Sequence, residues 1–243
     1  MIFKKEKEIV LNCYTYRADV YNYFPVVETK KTFPTWLKKV KNSYFNSKDD
    51  YFEGLKSCPA FIEYFTKGFV LPMWSDLSLE VGPSGSDSYK WQHSDRRSEI
   101  SIHPYIQTGL SEQEYQHLKL CSPWGFSCSE EVKFLFSAPS WRFGDLPSTV
   151  EILNGVVNYR TNAGTNINML VKRTGEQQKF IIKAGTPLVH VIPLTEKKVI
   201  IKTHLVNKET WDSVLSVGAR TSFTSKAKKK IQQTFKGKFK TLS

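Results

Sequence analysis

Histidine and aspartate stand one residue apart at His93 and Asp95, and His190 follows on an apolar stretch. Two histidines and a carboxylate that converge on one point form the facial triad of non-haem iron sites. Lys202, downstream of His190, is a cation that could hold a carboxylate co-substrate. However, an H-x-D triplet also arises by chance, and residues 95–98 are typical of an exposed polar loop. We therefore expect structural roles and keep the metal site as an alternative.

Two more residues complete the candidate pocket. Asp76 could act as a lone acid, but the sequence shows no partner for it, so a turn or a salt bridge is the favoured role. His103 begins a second stretch that could present a ligand, and the favoured interpretation is a half-buried histidine beside a turn. We assign no catalytic role, metal ion or cofactor to the five pocket residues, which are Asp76, His93, Asp95, His103 and His190.

Other catalytic signatures are missing from the sequence. It contains no P-loop, no G-x-S-x-G motif, no H-E-x-x-H motif and no kinase set. Four tryptophans could stack on a base or a sugar, although such residues more often anchor a core; they are Trp74, Trp91, Trp124 and Trp141. The sequence thus favours binding over catalysis.

The strongest binding signal is the charge of the C-terminus. After Asp212 there is no acidic residue, and removing the cations that follow from the net charge of +12 leaves +4. Lysines that meet phosphates release counterions, which gives affinity without sequence preference. Ile231, Phe235 and Phe239 recur every four residues and could add an apolar edge. A solubilising tail and docking on an acidic protein are the alternatives. The eight cations are Arg220, Lys226, Lys228, Lys229, Lys230, Lys236, Lys238 and Lys240.

The elements that must position these residues are mostly strands. Apolar residues make up 40% of the 243-residue chain, enough for a core. Two apolar runs flank a Gly-Thr-Pro turn within Phe180–Pro193, and Val150–Asn158 has a similar form. We predict that these two stretches pair in the most buried part of the fold. The spacing of strands and turns predicts a mainly β (α+β) fold, a sandwich or small barrel with a few short helices.

Further strands and helices follow from local patterns. Alternation predicts strands at 9–16, 69–74, 75–81 and 99–106, with a hairpin through residues 82–86 to Tyr89-Lys90-Trp91. Proline and glycine signals predict helices after Phe33 and over Cys58–Gly68, and a last helix spans 209–217. We interpret residues 42–50 as a polar loop and residues 162–168 as a loop with a strand edge, and we expect further strands at 133–136 and in the 150s, 160s, 180s and 190s. The chain divides into one domain, 1–217, with a possible subdivision near 140–150, and a basic extension, 218–243.

The cysteines and apolar runs indicate the compartment. Cys13, Cys58, Cys121 and Cys128 form no C-x₂₋₄-C pair, so we expect reduced thiols rather than zinc ligands or disulfides. No run approaches the length of a membrane span, and no apolar segment follows the N-terminal charges. We expect no membrane partner and folding in a cytoplasm.

Five sequence blocks follow one another along the chain, and the first, Phe33-Pro34-Thr35-Trp36-Leu37-Lys38, has the pattern F-P-x-W-x-K. This pattern looks like the signature of an uncharacterised family of tailed phages, particularly the large cyanophages, and some bacteria, which the five blocks resemble in the same order. Cys58–Phe61 and Gly68–Asp76 resemble its middle blocks, and the 150s and 180s its closing blocks. The resemblance implies a phage origin, with the host cytoplasm and, as an alternative, the virion as locations, but implies no activity.

The last third also resembles the β-clip barrel of dUTPases and dCTP deaminases. A Gly-Val-Val turn at Gly155 and the apolar strand after Gly185 carry this likeness. Those enzymes need an acid after the first block, where this chain has Asn158-Tyr159-Arg160-Thr161, and Asn cannot act as a base. Their final strand carries Gln where this one has His190. The likeness implies shared architecture and not shared catalysis.

Three functional hypotheses follow. The first is a non-enzymatic phage protein, a virion or accessory component that binds other virion proteins, itself or non-specific nucleic acid through its basic extension. The second is a nucleotide-binding or nucleotide-processing protein with a β-clip. The third is an iron/2-oxoglutarate-type oxygenase that uses His93, Asp95 and His190.

Overall fold

The computed structural model describes residues 8–104, 109–141 and 145–223, with side chains in the last helix as far as Leu215. The helices are α1 (Ala18–Tyr23), α2 (Thr35–Lys39), α3 (Pro59–Thr66) and α4 (Lys208–Phe223), with 3₁₀ turns at Thr29–Lys31 and Leu55–Ser57. The strands are β1 (Ile9–Thr15), β2 (Val27–Glu28), β3 (Ser43–Phe45), β4 (Tyr51–Glu53), β5 (Phe69–Pro72), β6 (Leu77–Val81), β7 (Tyr89–His93), β8 (Ile100–Ile102), β9 (Tyr115–Cys128), β10 (Lys133–Ser137), β11 (Val150–Ile152), β12 (Gly155–Asn158), β13 (Gly164–Lys172), β14 (Gln178–Ile182), β15 (Pro187–Pro193) and β16 (Val199–Leu205).

The largest sheet has the order β11-β13-β9-β1-β16, and β8 also pairs with β9. Only β1 and β16 are parallel neighbours in it, from Ile9↔Val199 to Thr15↔Leu205, while the other described pairs are antiparallel. Ile9, Leu11 and Cys13 alternate with half-exposed residues. This period of two places one face of the sheet on the core.

A second sheet, in the order β12-β10-β15-β5-β2, packs against the first through a shared core. Phe126 of the first sheet lies 6.1 Å from Phe69 of the second, between ring centroids, and 4.9 Å from the buried Tyr159. The mainly β fold with few helices is confirmed. Of the two predicted architectures, the layered one is observed, because no sheet in the described part of the chain closes into a barrel.

A third sheet, β14-β6-β7, extends the core, and β3 and β4 form a separate hairpin. Leu77, Leu79 and Val81 are fully or almost fully buried, as their alternation predicts. The hairpin through residues 82–86 is also confirmed, since β6 pairs with β7 from Leu77↔His93 to Val81↔Tyr89.

The predicted pairing of Phe180–Pro193 with Val150–Asn158 is wrong. The turn at Gly185, with φ +84°, sends β14 to β6 and β15 to β5 and β10, so the two strands belong to different sheets. The other stretch divides likewise, with β11 on β13 and β12 on β10. β10 lies between β12 and β15 and separates them. β15 is nevertheless among the most buried strands, as expected.

Sequence patterns missed the longest strand, β9, and understated two others. β13 confirms a strand in the 160s and takes in most of the Asn-rich stretch 162–168, for which only a strand edge was expected; Asn166 and Asn168 lie on its outer face while Thr165 and Ile167 face the core. β3 occupies part of the stretch 42–50, interpreted as a loop. Of the predicted strand 99–106, β8 covers three residues, and Tyr105 and Ile106 lie outside the described residues.

The helices follow the proline and glycine signals. α3 begins at Pro59, and Gly68, with φ +86°, turns the chain into β5. α2 begins directly after Pro34. α4 extends past the proposed domain boundary at 217. The four cysteines are unpaired, and no helix in the described ranges is long and apolar enough to cross a membrane.

Candidate functional site

His93 lies at the end of β7 and is buried. Its Nδ1 is 2.7 Å from Ser75 Oγ, and its ring stacks on Trp74 with centroids 6.4 Å apart. Nε2 has no hydrogen-bond partner among the described residues. Burial lowers the pKa of His93, so the neutral ring is favoured. These contacts are those of a core histidine.

Asp95 belongs to an ion cluster around the buried guanidinium of Arg17. Arg17 Nη2 lies 2.6 Å from an oxygen of Asp95 and 2.6 Å from one of Asp19. Ser98 Oγ donates to Asp95 at 2.7 Å and accepts from Trp74 Nε1 at 2.7 Å. Burial would raise the pKa of Asp95, but the bonds from Ser98 and Arg17 outweigh it and lower that pKa. The cluster ties the end of β1 to the loop after β7.

His190 lies on β15, between the rings of Tyr64 and Trp141, with centroids 5.0 Å and 4.7 Å away. Its Nε2 is 2.8 Å from the carbonyl oxygen of Lys67. A carbonyl only accepts, so Nε2 carries the proton. Burial lowers the pKa of His190 to about 4. This histidine anchors the end of α3 to the second sheet.

The three residues of the proposed iron site are therefore not brought together. In the described ranges, no group of three or more His, Cys, Asp or Glu side chains is arranged to hold a metal ion. His93 and Asp95 lie near each other, where they contact Ser75 and Arg17, whereas His190 contacts Lys67 elsewhere in the fold. In this fold, His93, Asp95 and His190 have structural roles.

Asp76 joins two turns. Its carboxylate accepts from Ala184 N at 2.8 Å and from Lys183 Nζ at 2.8 Å. The backbone bond from Ala184, followed by the Lys183 bond, lowers the pKa of Asp76. The salt bridge that the sequence favoured is present. It fixes the turn between β14 and β15 beside the start of β6.

His103 lines a cleft of about 430 Å³ beside β8 and β9, with a mixed polar and apolar lining. Its ring stacks on His117, with centroids 4.7 Å apart, and His117 Nε2 is 3.3 Å from Asn168 Oδ1. Burial lowers the pKa of His117. Sequence reasoning missed His117, although Leu118 and Leu120 beside it alternate with polar residues as in a strand.

Arg173, also missed, is the buried cation of this cleft. It donates from Nε to Glu112 O, from Nη1 to Gly82 O and Ser88 O, and from Nη2 to Gln116 Oε1, all within 3.1 Å. Burial lowers its pKa, although Asp87 and Glu112 counteract this. The Arg173 side chain donates these hydrogen bonds within the protein. It therefore holds loops together rather than offering its charge to a ligand.

A second cleft, here called the apolar groove, has a different character. It measures about 420 Å³ and lies on α2 and α3. The buried ring of Phe65 forms its floor, 4.2 Å from Phe61 and 5.4 Å from Phe33 between centroids. Its lining is almost entirely apolar and is completed by charged or polar residues at the rim. The lining residues are Phe33, Leu37, Lys38, Asn42, Lys56, Phe61, Ile62, Phe65 and Thr66.

The tryptophans mostly anchor the core. Trp74, Trp124 and Trp141 are at most 2% exposed, while Trp91 is 37% exposed on β7. Arg220 lies within α4. The seven lysines of the basic extension lie outside the described residues: Lys226, Lys228, Lys229, Lys230, Lys236, Lys238 and Lys240.

Comparison with protein families, with curated proteins and with solved structures gave no match.

Proposed function

We propose that this protein is a non-enzymatic binding protein, a structural or accessory component of a tailed phage, and that residues 218–243 attach it to nucleic acid. We call these residues the basic segment. The phage assignment is supported by the five sequence blocks that begin at Phe33. Neighbouring virion proteins or further copies of this chain are its proposed protein partners.

The observation that carries this proposal is the division of charge. The basic segment holds eight of the 35 cations and no acidic residue, whereas the preceding 217 residues are close to balanced at +4. A charge density of this kind attracts the phosphate backbone through counterion release. Phe235 and Phe239, placed among the lysines, could stack on bases.

The contacts of the candidate pocket support binding rather than catalysis. His93, Asp95, Asp76 and His190 are held by Ser75, Arg17, Lys183 and the Lys67 carbonyl. Low histidine pKa values disfavour the charged form that an acid catalyst needs near neutral pH. These side chains therefore stabilise a scaffold that presents the basic segment.

Charge substitutions in the full-length chain test the proposal. Replacing Lys226, Lys228, Lys229 and Lys230 by Gln keeps the length and the aromatics but removes four charges. We expect weaker binding of labelled duplex DNA, by about tenfold or more near physiological salt. The matched variant Phe235→Ala/Phe239→Ala keeps every lysine and should retain most duplex affinity. Unchanged affinity in the Gln variant would refute nucleic-acid attachment.

The virion assignment has a separate test. Mass spectrometry of purified particles should detect the chain if it is a structural component. Absence from particles would limit the role to an accessory one. If the basic segment bound acidic proteins instead of DNA, that result would favour a protein contact in assembly.

A further inference from the structure

The hairpin of β3 and β4 stands beside the apolar groove and carries aromatic pairs on both faces. Tyr44 pairs with Phe52 on one face, and Phe45 with Tyr51 on the other, with centroids of the second pair 5.6 Å apart. Within the described ranges, no third strand joins the hairpin. An isolated two-stranded ribbon is marginally stable in water. Aromatic rings on both faces thus indicate an element that a partner covers.

The base of the hairpin is fixed to the groove. Gly54 N donates to Asn42 O at 2.7 Å, and Ser57 Oγ donates to the same carbonyl at 2.8 Å. Lys56 Nζ donates to Lys38 O at 2.9 Å. Asn42, Lys56 and Lys38 all line the groove. Groove and hairpin therefore form one continuous surface, which we call the docking face.

Exposed apolar side chains are concentrated on the docking face. Six large ones lie within nineteen residues of sequence, each at least 41% exposed; they are Tyr44, Phe45, Tyr51, Phe52, Leu55 and Ile62. Single exposed apolar residues are ordinary, but a contiguous cluster marks an interaction site. Aromatic residues of this kind supply much of the energy at protein interfaces.

Charge indicates which occupant fits. Residues 29–66, which span the docking face, contain seven lysines and four acidic residues, an excess of three positive charges. Two of the charged groups nearest the groove, Lys38 and Lys56, are cations that line it. A carboxylate-bearing partner would gain from this rim, whereas the chain's own basic segment would be repelled by it. The docking face therefore favours an acidic occupant.

The lining of the groove favours an acidic protein over a nucleic acid as its occupant. Phe33, Leu37, Phe61, Ile62 and Phe65 form most of the groove lining and offer space for aliphatic and aromatic side chains, whereas its cationic donors, Lys38 and Lys56, lie at the rim. An amphipathic helix places side chains at i, i+4 and i+7 into such a groove. We propose that the docking face binds an acidic amphipathic helix of a partner protein, independently of the basic segment.

Fluorescence anisotropy with the full-length chain tests this proposal. The probe is a labelled helical peptide of about 20 residues, with Leu and Phe at i, i+4 and i+7 and Glu on the opposite face. A second peptide carries Lys in place of Glu. Ile62→Glu introduces a charge at the groove, and Ile181→Glu is the matched control, because Ile62 and Ile181 are 43% and 51% exposed and lie on different elements.

We expect the acidic peptide to bind the wild type and Ile181→Glu alike, and Ile62→Glu about tenfold more weakly. Lys38→Glu should weaken the acidic peptide and strengthen the basic one, a reversal that misfolding cannot produce. Equal binding of both peptides, or no effect of Ile62→Glu, would overturn the proposal. A single-stranded oligothymidine or a peptide of residues 218–243 that binds the groove more tightly than the acidic peptide would also overturn it. Such binding would be detected as competition with the labelled acidic peptide that is weakened by Ile62→Glu.

Discussion

His190 and Lys67 are 123 residues apart in sequence, yet the imidazole Nε2 donates to the Lys67 carbonyl at 2.8 Å. The bond joins β15, one of the most buried strands of the second sheet, to the end of α3. It also holds a neutral histidine in the core, because the surrounding rings of Tyr64 and Trp141 exclude water.

This buried histidine makes stability depend on pH. The folded pKa of about 4 lies below the ordinary 6.5, so the unfolded chain binds more protons between these values. The contribution of neutral His190 to the free energy of unfolding is complete above pH 6.5 and is lost as the pH falls toward 4. Between pH 7 and pH 5 the wild type should lose unfolding free energy because His190 resists protonation in the folded state. His190→Gln keeps an N–H donor but does not titrate, so we expect its loss over the same range to be smaller by roughly 1–2 kcal/mol. Urea titrations at both pH values measure it, and an unaltered pH dependence would contradict the assignment.

The Arg17 cluster should be sensitive to the loss of one carboxylate. Asp95→Asn leaves the buried guanidinium with Asp19 as its remaining anionic contact, and we expect a loss of about 3 kcal/mol of unfolding free energy. Glu80→Gln removes the surface pair between Glu80 and the exposed Lys179 and should cost much less unfolding free energy than Asp95→Asn. Chemical denaturation compares the two variants. Similar small losses would show that the cluster is not a stabilising centre.

Gly68 tests the junction between α3 and β5. Its φ is +86°, and an added Cβ would lie 2.2 Å from the carbonyl oxygen of Val191. Gly68→Ala should therefore cost more than about 2 kcal/mol, from strain and from displacement of β15. Gly155→Ala, where a Cβ meets open space, should change stability by less than about 1 kcal/mol. Thermal melts of both variants decide between junction strain and a general intolerance of alanine.

Local patterns in the sequence were enough for part of this fold. The alternation of Leu77, Leu79 and Val81 predicts β6, and Pro59 with Gly68 predicts the bounds of α3. β9 was missed because Ser122–Phe126 is buried without alternation and contains Pro123 and Gly125. The parallel pair β1–β16 joins the first and the last strand of the described chain, and no local signal specifies a pairing at that separation.

The site shows the same limit. His190 stood out because an apolar strand does not require a histidine, but its partner is a backbone carbonyl, which no residue type reveals. The groove depends on Phe33 and Phe65 meeting through tertiary packing, so only the shared face of Phe61 and Phe65 on α3 was predictable.

The salt dependence of DNA affinity tests the proposed function most directly. Each lysine that contacts a phosphate contributes about 0.9 to the slope of log affinity against log salt. Replacing the seven lysines from Lys226 to Lys240 by Gln in the full-length chain should lower the magnitude of that slope by up to roughly 6 between about 50 and 200 mM salt. An unchanged slope, with binding retained, would contradict attachment through the basic segment.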